Sequence, residues 1–415
     1  MTESELMHIR IDGDRLWDSL MQMARCGATD RGGCNRQALT DEDKEGRDLF
    51  RRWCEEAGCA VTVDAIGNMF ARRTGEDNAL PPVLVGSHLD TQPTGGKFDG
   101  AYGVLAGLEV IRTLNDNGIR TQGPVEVATW TNEEGCRFNP ALIGSGVWSG
   151  VFDLEETYAI PDKSGKTMVA ELRRIGYLGD VPAKARPLRA AFEAHIEQGP
   201  ILEQEGHQIG VLTGIQGLRW YDLVIEGEAC HAGPAPMSSR KDPFMAALPI
   251  LQGCYDLAGR HAPWGRATFG DIRAEPGARN TVPEKLVVSI DLRHPDAGVL
   301  DEMDRALRDL VSRECKSRGL DSSLEELWHM PVTTFAPECV DAVRQATREL
   351  GYSHMEMVSG AGHDSLYLAA VVPTGMIFVP CENGLSHNEA ENAKPEDLEA
   401  GCNVLLHAVL RIAGV

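Results

Sequence analysis

The sequence lacks the features that would send it to a membrane, to nucleic acid or out of the cell. No apolar run in its 415 residues approaches the roughly 20 needed to cross a bilayer. The opening MTESELMHIRIDGDRL has neither a basic n-region nor an apolar core, so no signal peptide is expected. Basic charge is scarce: 40 Lys and Arg against 62 Asp and Glu give a formal net charge of −22. With no basic stripe to release counterions, neither nucleic acid nor an anionic membrane surface is an expected partner. The eleven cysteines form no CxxC pair and no dense framework. In a long chain without an export signal they read as reduced thiols, which puts the expected location in the cytoplasm. HExxH, GxSxG, a P-loop and internal repeats are also missing, so any metal site must be assembled from distant segments.

What is present describes a soluble globular chain, 42% hydrophobic and 25% charged, and its length suggests two domains. The N-terminal third alternates helix and strand. TDEDKEGRDLFRRWCEEAG (40–58) has Thr40 as its N-cap, acids in its first turn and Gly58 as its stop. CAVTVDAIGNMFARR (59–73) reads as two short strands about Gly67-Asn68. PPVLVGSH (81–88) and VEVATW (125–130) read as strands of the buried kind, with helix 103–118 between them. Residues 150–190 are less regular and rich in charge, and read as surface elements. From about 215 the pattern restarts: strand 220–228, helix 238–259 interrupted by Pro249, strands 266–275 and 285–294, helix 297–319 and strand 322–330. That β-α-β-β-α-β order is ferredoxin-like. Helix 337–351, the glycine-rich SGAGHDS, strand 374–380 and helix 395–413 return to the first style. The expectation is an α/β domain, 1–214 and 332–415, interrupted by a self-contained α+β unit, 215–331.

SHLDTQPTGGKFDG (87–100) places His88 and Asp90 at the end of a buried strand and brings Asp99 in after a glycine turn. In open α/β sheets that edge is where ligands sit. The three residues fit a metal site, with Asp90 holding the far ring nitrogen of His88. They fit equally well a polar loop that caps the next helix. TNEEG ends its strand in two adjacent acids, Glu133 and Glu134, while His195 in EAHIEQG and His387 in GLSHNEAE add imidazoles near other strand ends. Read singly, each is an ordinary solvated or hydrogen-bonded residue. Together they form a set of imidazoles and carboxylates that suits zinc, manganese or cobalt better than calcium.

GSHLDTQPTGGKFDG, TNEEGCRFNPALIGSGVWSG, EAHIEQGPIL, HAGPAPMSSRKDP, RNTVPEKLVVSIDLR, GAGHDS and GLSHNEAE occur in the order and spacing of one family. The sequence resembles the N-carbamoyl-L-amino-acid hydrolase, β-ureidopropionase and allantoate amidohydrolase group, within the dinuclear-metal aminoacylase and carboxypeptidase-like superfamily. The match runs from RLWDSLMQMARCGATDRGG (15–33) to the last helix. It implies two divalent ions per subunit, zinc first and manganese or cobalt as alternatives. Asp99 would bridge them, with His88 and His195 on one and Glu134 and His387 on the other. Glu133 would be the general base and Asp90 the acid that orients His88. His231 would polarise the scissile carbonyl, often from the partner subunit of a dimer. Asn280 and Arg293 would hold a substrate carboxylate, with Gln198 and the Gly360 loop lining the pocket. The inserted unit would be the lid and dimerisation domain.

The implied reaction converts N-carbamoyl-L-amino acids to amino acid, ammonia and carbon dioxide. Allantoate, N-carbamoyl-β-alanine, and N-acyl amino acids or dipeptides are the alternative substrates. One departure stands out: Pro234 and Ala235 replace the two threonines of the commoner HAGTTPM. The hydroxyls that flank the substrate in relatives are therefore missing here, which bears on substrate size and polarity.

Overall fold

Four segments are buried along their whole length: Val83–His88, Val125–Trp130, Ala190–Ile196 and Thr374–Val379. Continuous apolar runs of this kind need cover on both faces, which parallel strands flanked by helices provide. In the computed structural model, which describes residues 6–415, these four are parallel neighbours in the spatial order 125–130, 83–88, 190–196, 374–379. Alternate side chains go to opposite faces. Leu84, Ala128 and Trp130 join Trp148 and Leu368 on one side. Val85 and Val127 meet Gly107 of helix Ala101–Asp116 on the other.

Antiparallel strands extend this core to a nine-stranded mixed sheet. The hairpin Ala60–Val63 and Met69–Arg73 adds to strand 125–130, and Ile209–Ile215 adds to strand 374–379. Helix Pro395–Ala413, buried over most of its length, packs with helix 101–116. Thr40 caps helix Asp41–Glu56 by accepting from the Asp43 N–H. These elements form one compact unit, Met1–Gly214 with Thr334–Val415, and Ile215–Thr333 forms another.

In the second unit, strands Ile272–Glu275, Lys285–His294, Gly217–Glu226 and Asp321–Met330 lie side by side, all antiparallel. Strand 285–294 buries every second residue. Leu286, Val288, Ile290 and Leu292 point to helices Phe244–Arg260 and Ala297–Lys316, where Ala246, Ile250, Leu300 and Leu307 complete the core. Element order and strand order are those of a split βαβ unit.

Local readings of the sequence differ from the structure at several places. Pro249 lies inside helix 244–260 without ending it. The apolar stripe that this helix packs into the core outweighs the backbone hydrogen bond lost at proline. The stretch 266–275 is two strands, Arg266–Thr268 and Ile272–Glu275, split at Gly270. Residues 150–190 hold helices Leu154–Tyr158 and Met168–Ile175, and the second buries Met168, Leu172 and Ile175. Ile209–Ile215 and His354–Ser359 are strands that the sequence pattern does not announce.

Candidate active site

The parallel strands all present their C-terminal ends at one edge of the sheet, so their following loops converge. Strand 83–88 is where the order reverses: the next parallel strand in sequence, 125–130, lies on one side of it and 190–196 on the other. Crevices form at such reversal points. His88 ends the central strand, His195 sits near the end of its neighbour, and the other two strands lead into Glu133-Glu134 and His387. Asp99 sits just before helix 101–116. Gly100, at φ +64°, makes the approach possible, since a Cβ there would lie 2.4 Å from the His88 ring.

Three imidazoles face one carboxylate. Asp99 Oδ1 lies 3.5 Å from His88 Nε2 and 3.1 Å from His195 Nε2, while Oδ2 lies 3.4 Å from His387 Nε2. Glu134 Oε2 is 3.4 Å from the same His387 nitrogen. The donors thus sort into two groups that share Asp99: His88, Asp99 and His195, and Asp99, Glu134 and His387. Glu133, the other acid of the pair, turns to the first group and lies 3.4 Å from His88 Nε2.

The tautomers follow from the opposite ring nitrogens. His88 Nδ1 meets the Asp90 carbonyl and His195 Nδ1 the Ile196 carbonyl, each at 2.9 Å. A ring nitrogen facing a carbonyl carries the hydrogen, so in the neutral ring Nε2 bears the lone pair. The Gly100 N–H donates to His195 Nε2 at 3.2 Å, as a lone pair there requires. Lone pairs of imidazole and carboxylate therefore point at one another, an arrangement that a cation or extra protons must hold together. Without a cation, protons do so. Burial opposes charge on His88, yet Glu133, Asp99 and Asp90 carry its pKa well above the ordinary value. Burial pushes Glu133 well up and Glu134 to about 7. Hydrogen bonding to Asp99 lifts His387 to about 9. The residues present thus fit divalent cations with mixed nitrogen and oxygen donors.

Asp90 plays a different part from the one its position suggested. Its carboxylate is 3.9 Å from His88 Nδ1, and the backbone carbonyl makes that contact instead. The carboxylate reaches across to the next loop, where Oδ1 accepts from the Glu133 N–H and Oδ2 from the Glu134 N–H, both at 3.2 Å. A residue two positions after a strand-end histidine is carried past the ring, and the N–H groups of the acidic turn capture it. Asn132, Gln198 and His387 all have φ near +55°, so three of the converging loops hold a non-glycine residue in the left-handed region. Such geometry persists where surrounding contacts over-determine it.

Gln198, expected to line the substrate pocket, donates from Nε2 to Asp99 Oδ2 at 2.9 Å. Glu391, missed in the sequence, accepts the Phe98 and Asp99 N–H groups at 2.9 and 3.1 Å and fixes the Asp99 backbone. His363 of SGAGHDS packs its ring 4.5 Å from that of His195, three residues beyond Gly360 in the same loop. The motif was visible, but nothing in its spacing tied it to His195.

His231, Asn280 and Arg293 belong to the second unit. His231 is exposed on a two-residue strand paired with Thr281–Val282, and the Ala232 N–H donates to the Asn280 carbonyl at 2.8 Å. These contacts bring His231 and Asn280 together. Arg240 donates to the Ala232 and Ala235 carbonyls and holds the HAGPAP loop. Arg293 grips Asp291 with Nε at 3.0 Å and Nη2 at 2.8 Å, in the fork geometry that suits a carboxylate.

The family model for peptidase family M20/M25/M40 matches residues 84–411. The chain belongs to that family. An N-carbamoyl-L-amino-acid amidohydrolase of Rhizobium meliloti is 50% identical over 406 residues, covering 98% of each chain. The allantoate amidohydrolase of Bacillus subtilis is 32% identical, over 95% of this chain and 97% of its own. The crystal structure of an amidase of the hydantoinase/carbamoylase family from Burkholderia multivorans superposes with a TM-score of 0.94 at 55% identity, covering 98% of each chain. The M20/M25/M40 match includes every donor described above, and together they point to metal binding.

Proposed function

We propose that this chain is a metal-dependent amidohydrolase that cleaves the carbamoyl C–N bond of N-carbamoyl-L-amino acids. The observation that carries this reading is the divergence of the adjacent acids: Glu133 lies beside His88 of one donor group, Glu134 beside His387 of the other. His88 and His195 would hold one divalent ion, Glu134 and His387 a second, and Asp99 would bridge them. Zn²⁺ is the ion assigned first, with Mn²⁺ and Co²⁺ as alternatives. Bound there, the ions would polarise the carbonyl and lower the pKa of the attacking water.

Glu133 takes a proton from the water that attacks the ureido carbonyl carbon. His231 donates a hydrogen bond to the carbonyl oxygen as it gains charge. When the C–N bond breaks, Glu133 returns the proton to the leaving nitrogen, freeing the amino acid. The carbamate released alongside it falls apart to ammonia and carbon dioxide. Arg293 and Asn280 hold the substrate carboxylate, and Gln198 and the Gly360 loop complete the pocket. Asp90 serves the reaction by fixing the turn that parts Glu133 from Glu134.

Residues 1–214 and 332–415 then form the catalytic domain and 215–331 the lid and dimerisation domain. An exposed stripe on helix 244–260, with Met245 49%, Leu248 61% and Tyr255 53% accessible, supports a homodimer through that domain. No helix among the described residues is long and apolar enough to cross a membrane. All eleven cysteines are free, which supports a cytoplasmic location.

The likeness to an allantoate amidohydrolase favours allantoate as the second reading. N-carbamoyl-β-alanine and N-acyl amino acids or dipeptides use the same chemistry. A panel assay of Zn²⁺-, Mn²⁺- and Co²⁺-loaded enzyme separates them by ammonia release, with amino acid release scored for the N-acyl compounds. Ammonia from N-carbamoyl-L-amino acids is the expected result. Turnover of N-acyl compounds or dipeptides alone would overturn the substrate class.

A further inference from the structure

One residue grips the Glu134 carboxylate at both oxygens. The Gln92 backbone N–H donates to Oε1 at 3.1 Å, and its side-chain Nε2 donates to Oε2 at 2.6 Å. Oε2 is also the atom 3.4 Å from His387, and the Glu134 side chain is only 5% exposed. A carboxylate on a flexible stem is therefore locked in rotation by a pincer outside the donor group. A primary amide has a donating and an accepting end, and its direction decides whether the pincer attracts or repels. Cys136 sets that direction. Its thiol donates to Gln92 Oε1 at 2.8 Å, which leaves the NH₂ facing Glu134. Turned over, the amide would set its carbonyl oxygen against the carboxylate.

We propose that Gln92 is a positioning residue for Glu134, with the Cys136 thiol fixing the amide's direction. The Asp99, Glu134 and His387 group then depends for its affinity on two residues that touch no ion. The proposal rests on the reading that this group holds a divalent cation. Neither residue contacts the His88, Asp99 and His195 group through these bonds, so the effect is selective. Loss of an outer partner of a metal ligand typically weakens binding by about 10–100-fold.

The test is calorimetric titration of metal-free protein with Zn²⁺, with ions per chain counted by mass spectrometry and Tm recorded for each variant. His387→Ala marks which binding step belongs to this group. Gln92→Leu is expected to weaken that step about 10–100-fold and leave the other unchanged. Cys136→Ser keeps an O–H donor and retains wild-type affinity, whereas Cys136→Val lacks it and weakens the same step several-fold. A merely structural role would move both steps and Tm together, and that result would overturn the proposal. So would wild-type affinity in both Gln92→Leu and Cys136→Val. Should Gln92→Leu fail to fold, equal affinities for the Ser and Val variants at position 136 overturn it. If His387→Ala keeps both steps, the reading of the donor group itself fails and the proposal with it.

Discussion

The two compact units differ in how they hold their chemistry-bearing residues: the first buries all but His387, whose side chain is 50% exposed, and the second leaves them accessible. In the first, His88 and His195 are each 1% exposed and Asp99 4%, set on or beside strands buried on both faces. In the second, His231 is exposed on a two-residue strand and Arg293 lies on a strand that buries only alternate residues. Groups that must converge on one another without neutralising themselves need rigid, dry support, because flexible imidazoles and carboxylates would simply pair. Groups that meet a substrate need access instead, and a sheet with one covered face leaves them room.

Breaking the rigid side should have the largest consequence. Asp99→Ala removes the carboxylate common to both donor groups, and the expected outcome is loss of both ions with turnover at background, checked by metal analysis and ammonia release. Removing the exposed imidazole should leave the metal content untouched. His231→Ala is expected to lower kcat on the order of 10²–10³-fold, and a change in ions per chain would show that the division between the units is wrong. Arg293→Lys keeps the charge but loses the fork, so KM for a substrate carboxylate should rise about tenfold with kcat little changed. The smallest effect on the fold is expected at Leu248→Asp. Stability should move by less than about 0.5 kcal/mol, while analytical ultracentrifugation should show the proposed dimer of the unaltered chain replaced by monomer in the variant.

Much of the first unit could be read from the chain. Runs such as VLVGSH and VEVATW announce buried strands because they need no polar face, and their ends point to the sheet edge where ligands sit. The His88, Glu134, His195 and His387 motifs are visible: singly each reads as an ordinary polar position, together they suit a metal site, and their order matches a family that assigns each a role. Contacts between distant segments stayed hidden. Glu391 supports Asp99 from 292 positions away, and nothing local to either marks the pairing. The Asp90 carboxylate was misplaced for the same reason, since its partners are N–H groups more than 40 positions on. Strand 354–359 escaped notice because its burial is irregular, with neither the period of two nor a continuous apolar run. Helix 244–260 runs through Pro249 because packing overrides a local breaker.

The central claim is that two adjacent acids do separate jobs, Glu133 moving the proton and Glu134 holding metal. Its most direct test is Glu133→Gln, measured for ions per chain and for ammonia released from an N-carbamoyl-L-amino acid. The account predicts two ions retained and a rate lower by about 10²–10⁴-fold. Full activity, or the loss of an ion, would contradict it.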